Sequence, residues 1–275
     1  MTVRFQSRMV LTGFLHCKSG ARIEQQGESR PNPPDLYVLR DLSGTPYISG
    51  SNFKNLLRRQ VESVLKDTLG PGFSCDSFNR DQACIRLGEP RNDGGIYLQE
   101  LIARFGDNDQ RLFEQIEEHT CIACKLFGSQ LVESPMLAED LKPSIWGGQF
   151  KMRRKKIQTD LDQEVREEKS LADKFMIRVV LNNCEEWQQG LFVMALSRAQ
   201  NKLITLSTGR QTEQQVATID SLSVRYLDSA RRLYECLAKH EATDGTEVTT
   251  EQLQQWISSL REHLKKAARN ALAIA

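Results

Sequence analysis

The stretch YISGSNFKNLLRR, residues 47–59, joins a short apolar strand to a helix across a single glycine. From Ser51 onward the apolar side chains fall at Phe53, Leu56, Leu57, Val61, Val64 and Leu65. That is the i, i+3, i+4 recurrence of a helix with one buried face. Ser51, Lys54, Asn55 and Arg58 recur at the same spacing around the other side, so a polar, basic stripe starts at the helix N-terminus. Gly50 lets the backbone turn tightly, Ser51 can cap, and the first amides of the helix point unsatisfied at whatever precedes them. A phosphate group suits that position, with Lys54 and Arg58 adding full charges to the partial one. An ordinary capped helix with a solvated face fits the same residues.

Length and composition bound the rest. The 275 residues, 39% hydrophobic and 27% charged, suit one large domain or two small ones with a proper core. The net charge is only +1, so any basic surface must come from local clustering offset by acidic residues elsewhere. No apolar run approaches the roughly 18 residues of a membrane span, and the start MTVRFQSRMV lacks the apolar core of a signal peptide. These features predict a cytoplasmic protein with no membrane partner. In that compartment the seven cysteines read as reduced thiols or metal ligands rather than disulfides.

Working outward from residues 47–59, alternation predicts a strand over residues 2–12 and a loop over 13–28 that carries His16, Lys18, Gly20 and Arg22. SRPNPPD, residues 29–35, has three prolines in seven positions, which excludes regular structure and makes a surface loop ending at Asp35. A second strand is expected over 36–40, then a turn through Gly44. Further along, KFMIRVVL (174–181) reads as a strand, 190–206 as an apolar-periodic helix, 216–219 as a short strand, and 222–240 as a helix. Thr249 and Gln252 form a capping-box pattern that opens a last helix over 251–271.

Residues 69–120 combine a Gly-, Pro-, Asp- and Asn-rich stretch holding Cys75 and Cys84 with a helical segment near 98–116. HTCIACKLFGS then places Cys121 and Cys124 in the C-x-x-C spacing that lets two thiolates reach one tetrahedral ion. Cys75 and Cys84 complete four sulfur ligands, or His119 replaces one of them. A polar insertion of this kind cannot order itself by apolar burial alone, and structural zinc would do that work. A redox dithiol and free structural thiols are the rival readings. Cys17, Cys184 and Cys236 stand alone and read as packed residues. The densest positive run is KMRRKK, Lys151, Arg153 and Arg154 among its members, followed by acidic residues to Glu168. Such a run is more often a solvated face than a nucleic-acid contact.

Several of these segments together resemble the RAMP proteins of CRISPR-Cas systems, specifically the repeated backbone subunits of type III effector complexes. The likeness lies in LTGFLH (11–16), in DLYVLRDLSGTPYISGSNFKNLLR (35–58), in CIACKLFGS (121–129) and in KFMIRVVL, and it spans most of residues 3–220. It implies an α+β fold with a ferredoxin-like (RRM-like) RAMP core over 1–220. That core would contain a zinc-binding insertion at 69–130 and a thumb hairpin at 145–172, with a C-terminal helical extension over 221–275. It implies CRISPR guide RNA, target RNA and other effector subunits, including further RAMP proteins, as partners in a ribonucleoprotein.

The resemblance also distributes roles. His16 would contact RNA, and Ser51, Asn52, Lys54 and Arg58 would cradle guide phosphates. Lys151, Arg153 and Arg154 would touch the guide or target backbone, as would Gly209 and Arg210 in STGRQT. Asp35 would support cleavage of target RNA with a divalent metal, magnesium or manganese. Two departures stand out: the family's glycine-rich loop is reduced to Gly209 and Arg210, and the two predicted helices beyond residue 220 exceed the usual core. A scaffold that holds guide RNA without cutting is the main alternative. A guide-processing endoribonuclease is the other, disfavoured because only His16 of four scattered histidines lies near the expected RNA surface.

Overall fold

The computed structural model describes residues 5–17, 39–70, 73–76, 79, 81–144, 152–158, 164–170, 173–201, 204–205, 216–239 and 244–274. Its backbone forms two units: one of residues 1–57, 137–182 and 196–248, the other of 58–136, 183–195 and 249–275.

In the first unit the period-2 pattern of β1 (Arg8–Cys17) buries Met9, Leu11, Leu15 and Cys17 and leaves Thr12, Phe14 and His16 partly exposed. Phe175, Ile177, Val179 and Leu181 of β5 (Lys174–Asn182) repeat this, in antiparallel register with β1 from Arg8 opposite Asn182 to His16 opposite Lys174. On the other side of β1 lies β7 (Val216–Leu227), also antiparallel, with a shift in register between Thr12 and Phe14. Short strands β2 (Met136–Ala138) and β6 (Ile204–Thr205) complete the order β2-β5-β1-β7-β6, and β8 (Thr246–Glu247) adds to β7.

With helix α1 (Gly50–Leu69) after β1 and helix α5 (Glu186–Asn201) after β5, this is the βαββαβ order of a ferredoxin-like core. The α+β class expected from the sequence is therefore present. A separate hairpin pairs β3 (Met152–Gln158) with β4 (Glu164–Ser170). The loop–strand–strand pattern read from sequence needs two corrections. The first strand runs to Cys17, which places His16 in the sheet rather than in a loop. Of the strand expected over 36–40, residues 36–38 lie outside the described residues, and Arg40 forms a bridge with Pro46. The helix expected over 222–240 begins only at α6 (Ala230–Ala238), because β7 continues to Leu227. Pairing with β1 and β8 there overrides a segment whose apolar residues fit either period.

In the second unit α2 (Leu98–Phe105) and α3 (Asp109–His119) enclose a small core of Ile85, Leu101 and Ile116. Ile96, Leu98, Phe105, Leu112, Leu131 and Val132 pack against it. The insertion thus has some apolar order of its own. The last helix, α7 (Thr250–Ile274), starts with the predicted box: Thr249 N–H donates to Gln252 Oε1 at 3.1 Å, and Gln252 N–H to Thr249 Oγ1 at 3.3 Å. This helix is no free tail, since Trp256 and Leu260 are buried and the His263 ring stacks on Trp187 at 4.0 Å. Among the described residues no helix is long and apolar enough to cross a membrane.

Candidate metal centre and nucleic-acid face

Four cysteines separated by up to 49 positions converge in the second unit. The sulfurs of Cys75, Cys84, Cys121 and Cys124 all lie within 4.8 Å of one another. Cys75 Sγ is 3.4 Å from Cys124 Sγ and 3.7 Å from Cys121 Sγ, and all four are free thiols. A tetrahedral ion with metal–sulfur bonds of about 2.3 Å places its ligands about 3.8 Å apart, so this group fits a metal such as zinc. His119 lies outside the group. A cavity of about 430 Å³ is lined in part by Cys75, Cys84 and Cys124.

The local chain explains why the C-x-x-C pair points one way. Cys121 is the N-cap of α4 (Ile122–Phe127), and its sulfur accepts the Cys124 N–H at 3.5 Å. Leu126 and Phe127 are buried behind the pair. Gly128 ends the helix at φ +80°, a conformation that favours glycine, and its N–H closes on the Cys124 carbonyl at 2.8 Å. Four crowded thiols cannot share protons equally. The hydrogen bond from Cys124 lowers the Cys121 thiol to about 7, while its bond with Cys121 pushes Cys124 up. Burial pushes Cys184, remote from the cluster, up to about 12, in keeping with a packed, inert thiol.

Helix α1 reaches this centre through Arg58. The sequence predicts that residue on an outward phosphate stripe, and the structure corrects the prediction: Arg58 is 4% exposed. Its Nε donates to Glu62 Oε1 at 2.6 Å, Nη1 to the Gly128 carbonyl at 2.8 Å, and Nη2 to Cys124 Sγ at 2.9 Å. Burial opposes the charge of Arg58, but Cys124 and Glu62 together outweigh it and raise the guanidinium pKa. Burial likewise lifts the Glu62 carboxyl against the pull of Arg58. Among spacing signals only the Arg58–Glu62 i, i+4 pair hinted at an inward arginine.

The start of α1 is also rearranged relative to the sequence reading. Ser49, not Ser51, caps the helix, its Oγ accepting the Asn52 N–H at 3.2 Å and its carbonyl the Phe53 N–H at 3.1 Å. Gly50 does not have positive φ; it is required because a Cβ there would strike the Ala138 carbonyl of β2. The Gly50 N–H donates to Asp140 Oδ1 at 2.9 Å, so a carboxylate holds the amide where phosphate was expected. Ser51 is exposed, and Asn52 and Lys54 are half-exposed.

His16 lies on the partly exposed face of the sheet, Nε2 2.8 Å from Asp220 Oδ2, at ion-pair distance though off the line of a hydrogen bond. On the same face the Lys174 ammonium sits 4.0 Å over the Phe14 ring, and Arg178 makes paired 3.1 Å bonds to Asp244. Sequence reasoning missed Lys174, Arg178 and Phe14, which register alone brings beside His16 and Thr12. In the hairpin, Arg154 lies opposite Glu168 and Lys155 opposite Glu167, whereas Arg153 faces Lys169 and Lys156 faces Arg166. The basic run is thus one strand of a ribbon whose partner strand is mixed in charge. Asp35, Lys151, Gly209 and Arg210 lie outside the described residues.

The sequence model of the RAMP superfamily matches residues 9–267. The chain belongs to the RAMP superfamily. Among solved structures, this RAMP protein is similar to a chain of the Csm3-Csm4 subcomplex in the type III-A CRISPR-Cas interference complex. The two share 14% sequence identity with a TM-score of 0.47, over 94% of this chain and 98% of that one. No curated protein matches it.

Proposed function

We propose that this RAMP protein is a backbone subunit of a type III CRISPR ribonucleoprotein effector, binding guide RNA and cleaving complementary target RNA. The observation that carries the reading is the extent of the RAMP match, 9–267. It takes in the β1–α1 junction and the Cys121–Cys124 segment through which the sequence resembles type III backbone subunits. Zinc is the metal that four cysteine thiolates in tetrahedral reach favour in a structural role.

Ser51, Asn52 and Lys54 at the start of α1, His16 on the sheet, Arg153 and Arg154 in the hairpin, and Lys151, Gly209 and Arg210 supply contacts to guide or target RNA. Arg58 is removed from that set by its burial. The catalytic residue is Asp35: a loop carboxylate can orient a ribose 2′-hydroxyl, while splaying of a base sets that hydroxyl in line with its phosphate. A divalent ion such as magnesium or manganese would supply charge stabilisation for the departing oxygen. Partners are guide RNA, target RNA and further RAMP subunits.

Replacing Asp35 with alanine in the assembled complex separates this reading from a guide-holding scaffold. Loss of target cleavage with guide binding intact supports the nuclease. Cleavage that persists at every site makes this subunit a scaffold, and joint loss of guide binding makes Asp35 structural.

A further inference from the structure

A buried arginine needs a reason, because an unpaired guanidinium away from water is strongly unfavourable. Arg58 divides its donors among three acceptors, and two of them fix its plane. Glu62, one turn on, takes Nε; the carbonyl of Gly128, just past α4, takes Nη1. What remains, Nη2, is thereby aimed at sulfur, 2.9 Å from Cys124 and 4.0 Å from Cys75. A neutral thiol is a weak acceptor and a poor partner for a buried cation. A metal-bound thiolate is a good one.

Charge arithmetic points the same way. Four thiolates around a divalent ion leave two negative charges, and Cys124, the most buried of the four, has no water to offset its share. The Cys124 amide already serves Cys121, and Arg58 brings a guanidinium to Cys124 itself.

We propose that Arg58 is the positioning residue of the four-cysteine centre, its guanidinium donating to the Cys124 thiolate and offsetting the charge that the bound metal leaves uncompensated. The proposal rests on the reading of the cluster as a metal site. Lysine would keep the charge without the planar fork that reaches Glu62, Gly128 and sulfur together.

The test uses the full chain and compares wild type, Arg58→Met, Arg58→Lys and the double variant Arg58→Met/Glu62→Gln. The double variant avoids stranding a buried carboxylate should Arg58→Met fold poorly. Zinc affinity is read by competition with a chromophoric chelator, and cobalt(II) replaces zinc to report the sulfur-to-metal charge-transfer band. We expect Arg58→Met and the double variant to lose about 10- to 100-fold in zinc affinity, with Arg58→Lys between them and wild type. The cobalt band should move to longer wavelength when Arg58 is replaced by methionine, because a thiolate relieved of a hydrogen bond gives up its electrons more readily. A residue that merely packs would leave that band in place.

Wild-type affinity and an unshifted band in the folded double variant would overturn the role of Arg58 alone. A wild-type protein that takes up neither zinc nor cobalt would overturn the metal reading and this proposal with it.

Discussion

Lys54 and Arg58 sit one turn apart on α1, belong to the same basic stripe in the sequence, and have opposite fates. Lys54 is half-exposed near a helix start whose other polar groups, Ser51 and Asn52, also reach solvent. Arg58 is buried against Glu62, Gly128 and Cys124. Helical spacing assigned both to one face correctly, but a face is outward only where nothing packs on it. Around Arg58 the insertion supplies the sulfurs of Cys124 and Cys75. The lesson is that a basic residue in a stripe turns inward where a distant segment supplies the groups that accept its hydrogen bonds.

The strongest way to sharpen that contrast is to remove the anions. Cys124→Ser should abolish stoichiometric metal binding and destabilise the second unit by about 4 kcal/mol or more, the range reached when a mutation removes a structural metal. Calorimetry with and without chelator checks this, and unchanged unfolding would show that the cluster is not a metal-dependent element. A second, smaller loss should follow from crowding the outward end of the same helix. Gly50→Ala drives a methyl into the Ala138 carbonyl, with an expected cost of about 1–3 kcal/mol in denaturant unfolding. An alanine variant as stable as wild type would mean β2 can withdraw freely.

On the sheet, the pair of Arg178 and Asp244 gives a pH signature. The hydrogen bond from Arg178 holds the Asp244 carboxyl below its ordinary 3.8. Its contribution to stability is therefore fully present above 3.8 and is lost as pH falls through the lower folded value. Asp244→Asn should flatten this acid limb of the stability profile, a modest effect for a pair still partly open to solvent. Identical limbs in the two proteins would remove the pair from the account. Lys54→Ala should have the smallest effect on stability, within about 0.5 kcal/mol, and leave zinc binding untouched. It should nevertheless weaken guide RNA binding and lower the salt slope by about one phosphate contact, read by titration at several salt concentrations. An unchanged slope would take Lys54 out of the RNA face.

Much of this arrangement was legible in the sequence, for physical reasons that differ from element to element. The four cysteines were legible because a tetrahedral ion demands ligand types that little else in a reduced chain requires. β5 and the capping box at Thr249 and Gln252 were legible because period-2 burial and reciprocal capping are local signals. Gly50 was noted for the wrong reason: a sequence cannot show that a carbonyl 88 positions later lies against its Cα. The long β7 was misread as strand then helix since its second half is held by pairing with Arg8–Thr12, a non-local interaction. The inward turn of Arg58 and the Asp140 carboxylate at the helix start depend on segments 66 and 90 residues away.

The account stands or falls on whether one chain carries both a metal and a guide. Native mass spectrometry of the purified protein with its copurifying subunits reads the two at once. It should find RNA of defined length in the assembly and a single zinc per copy of this chain, as expected from its one four-cysteine group among the described residues. A metal-free chain that remains a monomer without RNA, even when supplied with guide and partner subunits, would contradict it.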